Sequence, residues 1–405
     1  MSMLSPLSMR AVPAVPAAAE EDAGGAAAAA AEEDAAAADK GIRCGNPSFP
    51  KIPENAYIPP GLLFQWHITD RCNLRCTHCY QDSYLGEEPE FGELLHILAQ
   101  FRELTDFWKK KVPGFRCHIT VSGGEPFVRK DFSDLLDVFY AQREYFSFAI
   151  LTNGSFIDEQ TARRLKKLQA AFVQISLEGG RDIHEKIRGK GSYELAVRAL
   201  QNLVREKIRS FISFTAHRGN YKEFPAVARL GKKLGVSRVW SDRLIPRGSG
   251  AEMADLLLHP AGTRQFFQLM VRCRPGKLLH LPLLRHLHKT EIAMHRALQF
   301  LCGDGRPYHC TAGDSLMTVL PNGELLPCRR MPVSVGNLKE KHLAELYYTS
   351  DLFRDLRDRR RISRGCENCF YQKLCRGGLK CLSYAVYGSP FRADPGCWRA
   401  DHPDA

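Results

Sequence analysis

The chain is 405 residues long, 44% hydrophobic and 25% charged, with a formal net charge of +12. That length can bury a large core and hold two domains plus a tail. No run of about 18 apolar residues offers a membrane span, and no basic segment leading into an apolar core marks an export signal.

Residues 1–58 read as a disordered Ala/Glu-rich extension, with alanine tracts broken by Glu20, Glu21, Asp22, Glu32, Glu33 and Asp34. Alanine favours helix locally, but no apolar stripe is present to dock one. Seven acids and two bases fall in the first 40 residues, so residues 41–405 hold 55 bases against 38 acids, a charge of +17. A basic body favours acidic partners, such as a peptide or an electron-donor protein. The arginine-rich stretch Arg357 to Arg364 has acids nearby. It reads as a solvated helical face, so nucleic acid is not the favoured partner.

From about residue 59 to 245 strand-like and helix-like patterns alternate. The strand-like runs are Leu62 to Thr69, Cys117 to Val121, Phe146 to Thr152, Ala171 to Leu177, Phe211 to Ala216 and Ser237 to Ser241. Between them, Glu93 to Trp108, Phe132 to Tyr140, Glu159 to Gln169, Tyr193 to Arg205 and Phe224 to Leu234 space apolar residues three or four apart. This pattern predicts parallel strands with helices packed outside, and chemistry at the carboxyl ends of the strands.

The motifs fall at those ends. Cys72, Cys76 and Cys79 form a C-x3-C-x2-C triplet after the first run. Gly123-Gly124-Glu125-Pro126 follows the second run, Asn153-Gly154 the third and Glu178-Gly179 the fourth. Three thiolates in a tight loop can hold a 4Fe-4S cubane and leave one iron open. On spacing alone a zinc site or spare thiols remain alternatives, although no obvious fourth ligand lies nearby and His78 sits between two of the cysteines.

The triplet and the Gly-Gly-Glu-Pro segment resemble the radical S-adenosylmethionine (SAM) enzymes. The resemblance implies a partial (β/α)6 barrel in which the open iron chelates SAM and a 5′-deoxyadenosyl radical is released. It further implies that His78 packs near the adenine, that Gly123, Gly124, Glu125 and Pro126 form the segment holding the amino group with Glu125 as acceptor, that Ser176 and Glu178 contact the ribose, and that Arg188 meets the carboxylate. His67 could face the cofactor, but a barrel-interior histidine is the default. A strand-end Ser or Glu is, by itself, more often a helix cap.

Residues 246–300 read as a helical connector. Cysteines then crowd residues 301–405: Cys302, Cys310, Cys328, Cys366, Cys369, Cys375, Cys381 and Cys397. The pattern resembles the SPASM domain, a small cysteine-rich extension with two auxiliary 4Fe-4S clusters. By position, Cys302, Cys310, Cys328 and Cys381 would hold the first and Cys366, Cys369, Cys375 and Cys397 the second, giving three clusters with the triplet's own. The spacing from Cys375 to Cys381 is longer than the family's, and a zinc ribbon over Cys366 to Cys381 stays open. Cys117 reads as a core residue, and Cys44 and Cys273 have no partner by spacing. Without an export signal, bound reduced thiolates and a cytoplasmic location are expected.

SPASM-bearing relatives mostly modify peptides, so a precursor peptide is the expected substrate, and a thioether crosslink the expected product. A flavodoxin- or ferredoxin-type electron donor and a separate leader-recognition protein are the expected partners. The sulfatase-maturing branch has an aspartate after the cysteine that corresponds to Cys328; here Arg329 stands there, which lowers that reading. Small-molecule chemistry on a tetrapyrrole and a non-catalytic iron-sulfur scaffold also stay open, and no general acid or base is identified.

Overall fold

The computed structural model describes residues 47–274, 290–303 and 307–401. Cys44 lies outside them, as do most of the expected amino-terminal extension and the middle of the expected connector. Residues 47–58 depart from the expectation of disorder. Phe49 packs against Phe107 and His342, and the Tyr57 hydroxyl donates to Asp314 at 2.7 Å. The Phe49 ring contacts and the Tyr57 hydroxyl bond fasten this stretch to the rest of the fold.

Six parallel strands follow in sequence order: β1 (Leu62–His67), β2 (Cys117–Ser122), β3 (Ser147–Thr152), β4 (Phe172–Ser176), β5 (Ser210–Ala216) and β6 (Arg238–Arg243). The helices between them are α1 (Phe91–Lys111), α2 (Phe132–Ala141), α3 (Glu159–Lys167), α4 (Arg181–Arg188), α5 (Ser192–Arg205) and α6 (Phe224–Leu234). Helix α1 shows why they form. Glu90 and Glu93 make a capping box at its start, three lysines occupy its last turn, and Leu94, Ile97, Leu98, Phe101, Leu104 and Trp108 give one buried stripe.

Three further strands were not foreseen. β7 (Glu291–Ile292) pairs parallel with β6, and β8 (Leu316–Val319) pairs parallel with β1 before turning back through β9 (Leu325–Leu326). The sheet order is β7-β6-β5-β4-β3-β2-β1-β8-β9. A two-residue strand has no period to read, and Leu316–Val319 gave no cue that its partner lay at the start of the barrel. Helix α4 was also missed, because its eight residues are mostly charged.

Side chains alternate across β1. Phe64 and Trp66 are fully buried against Phe101 and Phe139 under the helices. Gln65 and His67 point the other way, into the lumen, where the Thr318 hydroxyl approaches Gln65 at 3.4 Å. Trp240 of β6 donates to Gln174 of β4 at 2.9 Å across the same interior. A helix α7 (Pro260–Arg272) follows β6, and the carboxyl-terminal part adds α8 (Leu343–Thr349), α9 (Asp351–Arg357), α10 (Gln372–Cys375) and α11 (Lys380–Tyr387). No described helix is long and apolar enough to cross a membrane.

Candidate active site and cluster sites

The cysteine loop leaves β1 and is fixed by backbone hydrogen bonds to three other parts of the barrel. Thr77 N donates to Ile187 O at 2.9 Å, Gly250 N to Cys79 O at 2.9 Å, and Glu125 N to Arg71 O at 2.9 Å. Gly124 N also donates to Thr69 O at 2.9 Å. A Cβ on Gly123 or Gly124 would run into the backbone of Thr69 or of Asp70 and Arg71, and Gly123 has φ +153°. The Gly-Gly pair is therefore needed to seat one strand-end loop on the other. Pro126 opens the short 3₁₀ turn that follows.

Glu125 is fully buried. Its oxygens accept from the Thr152 hydroxyl at 2.7 Å, Asn153 N at 2.8 Å and Phe127 N at 3.3 Å. Burial nevertheless pushes the carboxyl up to about 7. A carboxylate this costly to bury gains from an ammonium group, which fits the amino end of SAM.

A second polar cluster lies under the loop. Arg188 at the end of α4 donates to Glu178 Oε1 through Nε at 3.1 Å and NH2 at 2.6 Å, and its NH1 reaches Cys76 Sγ at 3.6 Å. His78 Nε2 lies 3.0 Å from the same Glu178 oxygen, and Thr215 N donates to the other at 2.8 Å. Burial alone would raise the Glu178 carboxyl, but Arg188 and His78 hold it well below the usual carboxylate range. Both oxygens of Glu178 thus serve to orient Arg188, His78 and β5. The Ser176 hydroxyl, at the end of β4, makes no hydrogen bond among the described residues, and the residue stands half-buried, paired with Ser213 of β5. Sequence reasoning missed the rest of this cluster: His184, which accepts from Glu178 N at 3.1 Å, and Asn220, which donates to Glu178 O at 3.2 Å. His184 lies on the mostly charged helix α4 and Asn220 in the turn after β5, and neither carries a spacing cue.

The donor set fits an iron-sulfur cluster. Leu74 N donates to Cys72 Sγ at 3.4 Å, and Arg188 faces Cys76. Burial raises the Cys72 thiol to about 11 and raises Cys76 as well. These sulfurs become thiolates only when a metal takes them, with Arg188 placed to compensate the charge. No trio of His, Cys, Asp or Glu among the described residues is drawn together as a single metal ion would need. A cubane spreads its thiolates over separate irons and asks for a wider set.

The carboxyl-terminal cysteines fall into two groups. Cys366, Cys369, Cys375 and Cys397 line one cleft with Asp394 and Tyr371. Cys310, Cys328 and Cys381 form the other; Cys381 hydrogen-bonds Cys328, and Cys310 feels both charges. Cys302 does not join them, and its sulfur faces Arg264 O at 3.9 Å. Lys380 is buried between the groups and lies within the field of Cys310, Cys366 and Cys375. Cys117 is a buried strand residue, and Cys273 caps α7.

One tight turn, Cys328 to Met331, closes the gap between β1 and β6, with Met331 N donating to Cys328 O at 2.9 Å. Arg329 is buried on the β1 side, beside His67 and Asp70 and 5.7 Å from the Tyr80 ring. Arg330 reaches the β6 side and pairs with Asp242 at 2.7 Å. The next residue of β6, Arg243, makes a two-pronged pair with Asp394 at 2.7 and 2.5 Å, fastening barrel to cysteine-rich part.

The radical SAM superfamily model matches residues 66–231, and the SPASM iron-sulfur cluster-binding model matches residues 310–370. Fe-coproporphyrin III synthase of Methanosarcina barkeri is 27% identical over 360 residues, covering 82% of this chain and 86% of that protein. Mycofactocin maturase MftC of Mycolicibacterium smegmatis is 29% identical over 350 residues, covering 83% and 82%. In fold, Streptococcus suis SuiB bound to its precursor peptide SuiA superposes with a TM-score of 0.61 at 14% identity, covering 90% of this chain and 86% of that one.

Proposed function

We propose that this chain, a radical SAM enzyme with a carboxyl-terminal SPASM domain, abstracts hydrogen from a ribosomally made peptide held in the barrel lumen and joins the resulting carbon to a cysteine sulfur of that peptide. The observation that carries the reading is the facing arrangement of the two loops around the lumen, with the Cys72–Cys79 loop at the strand ends and the Cys328–Met331 turn closing the gap. When bound, the clusters supply the electron that splits SAM and take up the electron left after bond formation.

The chain's own residues hold the parts. Cys72, Cys76 and Cys79 hold the SAM-binding cluster; Glu125 receives the amino group of SAM, and Arg188, fixed by Glu178, stands ready for its carboxylate. His78 and Ser176 line the adenosine side. Cys366, Cys369, Cys375 and Cys397 hold one auxiliary cluster, and Cys310, Cys328 and Cys381 the other. Cys302 stands apart from that second set, which supports an open iron there for a substrate sulfur. A peptide substrate is supported by the mycofactocin maturase relative and the SuiB fold. The electron donor is a flavodoxin or ferredoxin, and the leader is read by a separate protein, both in a reducing cytoplasm.

Anaerobically reconstituted protein, given SAM and a strong reductant, should release 5′-deoxyadenosine, and a cysteine-bearing precursor should lose two hydrogen atoms per crosslink by mass spectrometry. Release of 5′-deoxyadenosine with every cysteine precursor unchanged would overturn the thioether step. A second reading, action on a carboxylate-bearing tetrapyrrole, draws on the Fe-coproporphyrin III synthase relative and on the three arginines of the lumen. It predicts loss of carbon dioxide from a carboxylate-bearing tetrapyrrole instead.

A further inference from the structure

Arg329 is 5% exposed, and among the described residues it has no ion-pair partner; its Nε is buried and unpaired. His67, 1% exposed, faces it with both ring nitrogens unpaired. Asp242 is shared by Arg330 at 2.7 Å and Arg296 at 3.7 Å, and Asp70, which lies within the field of Arg329, makes no ion pair with it. An unpaired buried guanidinium is costly, and a fold keeps one where a ligand completes it.

We propose that Arg329, assisted by His67, anchors a carboxylate group of the substrate inside the barrel. The guanidinium fork matches a carboxylate through two parallel hydrogen bonds, and an imidazole N–H can supply a third. Tyr80, whose ring lies beneath the Arg329 cation, directly follows Cys79, so the anchored group would lie beside the loop where the radical is made. Because the lumen is the substrate chamber under the function proposed above, the anion that enters it belongs to the substrate: a peptide's carboxyl group, or the propionate of a tetrapyrrole. Arg329 is then a binding and positioning residue that selects acidic substrates.

The test has a ligand-free arm and a ligand arm, both on anaerobically reconstituted, SAM-loaded protein. In the first, urea midpoints of wild type, Arg329→Gln and Arg329→Lys are compared. Arg329→Gln should unfold at higher urea than wild type, since an unpaired buried charge is removed; a lower midpoint would show a guanidinium already satisfied by the fold and overturn the proposal. In the second, isothermal titration uses N-acetyl-triglycine against its amide, and coproporphyrin III against its tetra-amide. At least one free acid should bind wild type where its amide does not, about ten-fold or more weaker in Arg329→Gln and partly restored in Arg329→Lys. Which acid binds identifies the source of the carboxylate. Acid and amide behaving alike, neither acid binding wild type, or equal affinity in Arg329→Gln would each sink it. Wild type that releases no 5′-deoxyadenosine would sink the enzyme reading whatever the titrations give. Wild type that releases it but fails the titrations would sink the anchor alone.

Discussion

Replacing Asp394 by asparagine should loosen the joint between barrel and cysteine-rich part. The pair is sealed from water, with Arg243 3% and Asp394 0% exposed. Asp394 Oδ1 accepts from Arg243 NH1 at 2.7 Å and Gly396 N at 2.9 Å; Oδ2 accepts from Arg243 NH2 at 2.5 Å and Leu379 N at 3.0 Å. An amide keeps one acceptor oxygen and turns the other into a donor, so two of the four bonds fail and the guanidinium loses its counter-charge. Breaking one side of a buried pair costs about 3–5 kcal/mol. Arg243→Met together with Asp394→Asn removes the stranded cation, so the double variant should recover about 2 kcal/mol or more of the summed single losses. The assay is a four-member cycle of urea midpoints, followed anaerobically by tryptophan fluorescence. Asp394→Asn within 1 kcal/mol of wild type, or strictly additive losses, would refute the reasoning.

The Glu125 carboxyl titrates at about 7 in the folded chain against 4.5 ordinarily. The folded protein therefore holds a proton that the unfolded chain releases, and stability should fall by about 3 kcal/mol as pH rises from 4.5 to 7, then level off. Glu125→Gln should flatten that part of the pH profile; an unchanged slope in the variant would count against it. Gly124→Ala drives a methyl into the Arg71 carbonyl. It should destabilise the protein by about 1–3 kcal/mol, and iron analysis should show loss of roughly four irons per chain, those of the Cys72–Cys79 loop. Full iron loading would contradict the seating role. Lys380→Met removes a positive charge between the auxiliary groups, and redox titration should find their potentials lower by on the order of tens of millivolts. Potentials that stay put would separate Lys380 from the clusters.

Much of the barrel was legible because each strand and helix carries its own period. The runs from Leu62 to Ser241 appear as strands with ends shifted by a few residues, and Phe224–Leu234 as a helix with the expected bounds. The resemblance to the SPASM domain, applied by position, grouped Cys366, Cys369, Cys375 and Cys397, and these four line one cleft. What spacing could not convey was long-range pairing. Arg243 with Asp394, Arg330 with Asp242, and the burial of Arg329 beside His67 join residues far apart in the chain, and no local pattern encodes them. Cys302 is the instructive case, since its position in the series suggested a ligand while its sulfur faces Arg264.

The pairing of β8 with β1 has a consequence for biosynthesis. Thr318 and Gln65 meet across 253 residues of sequence. At about 5–20 residues per second the ribosome needs roughly 13–50 s to deliver the second neighbour after the first strand has emerged. Throughout that interval the nascent chain presents a hydrophobic, unzipped border. Truncation before Val319 should therefore yield inclusion bodies, and the full chain should depend on holdase chaperones until its carboxyl-terminal part is translated.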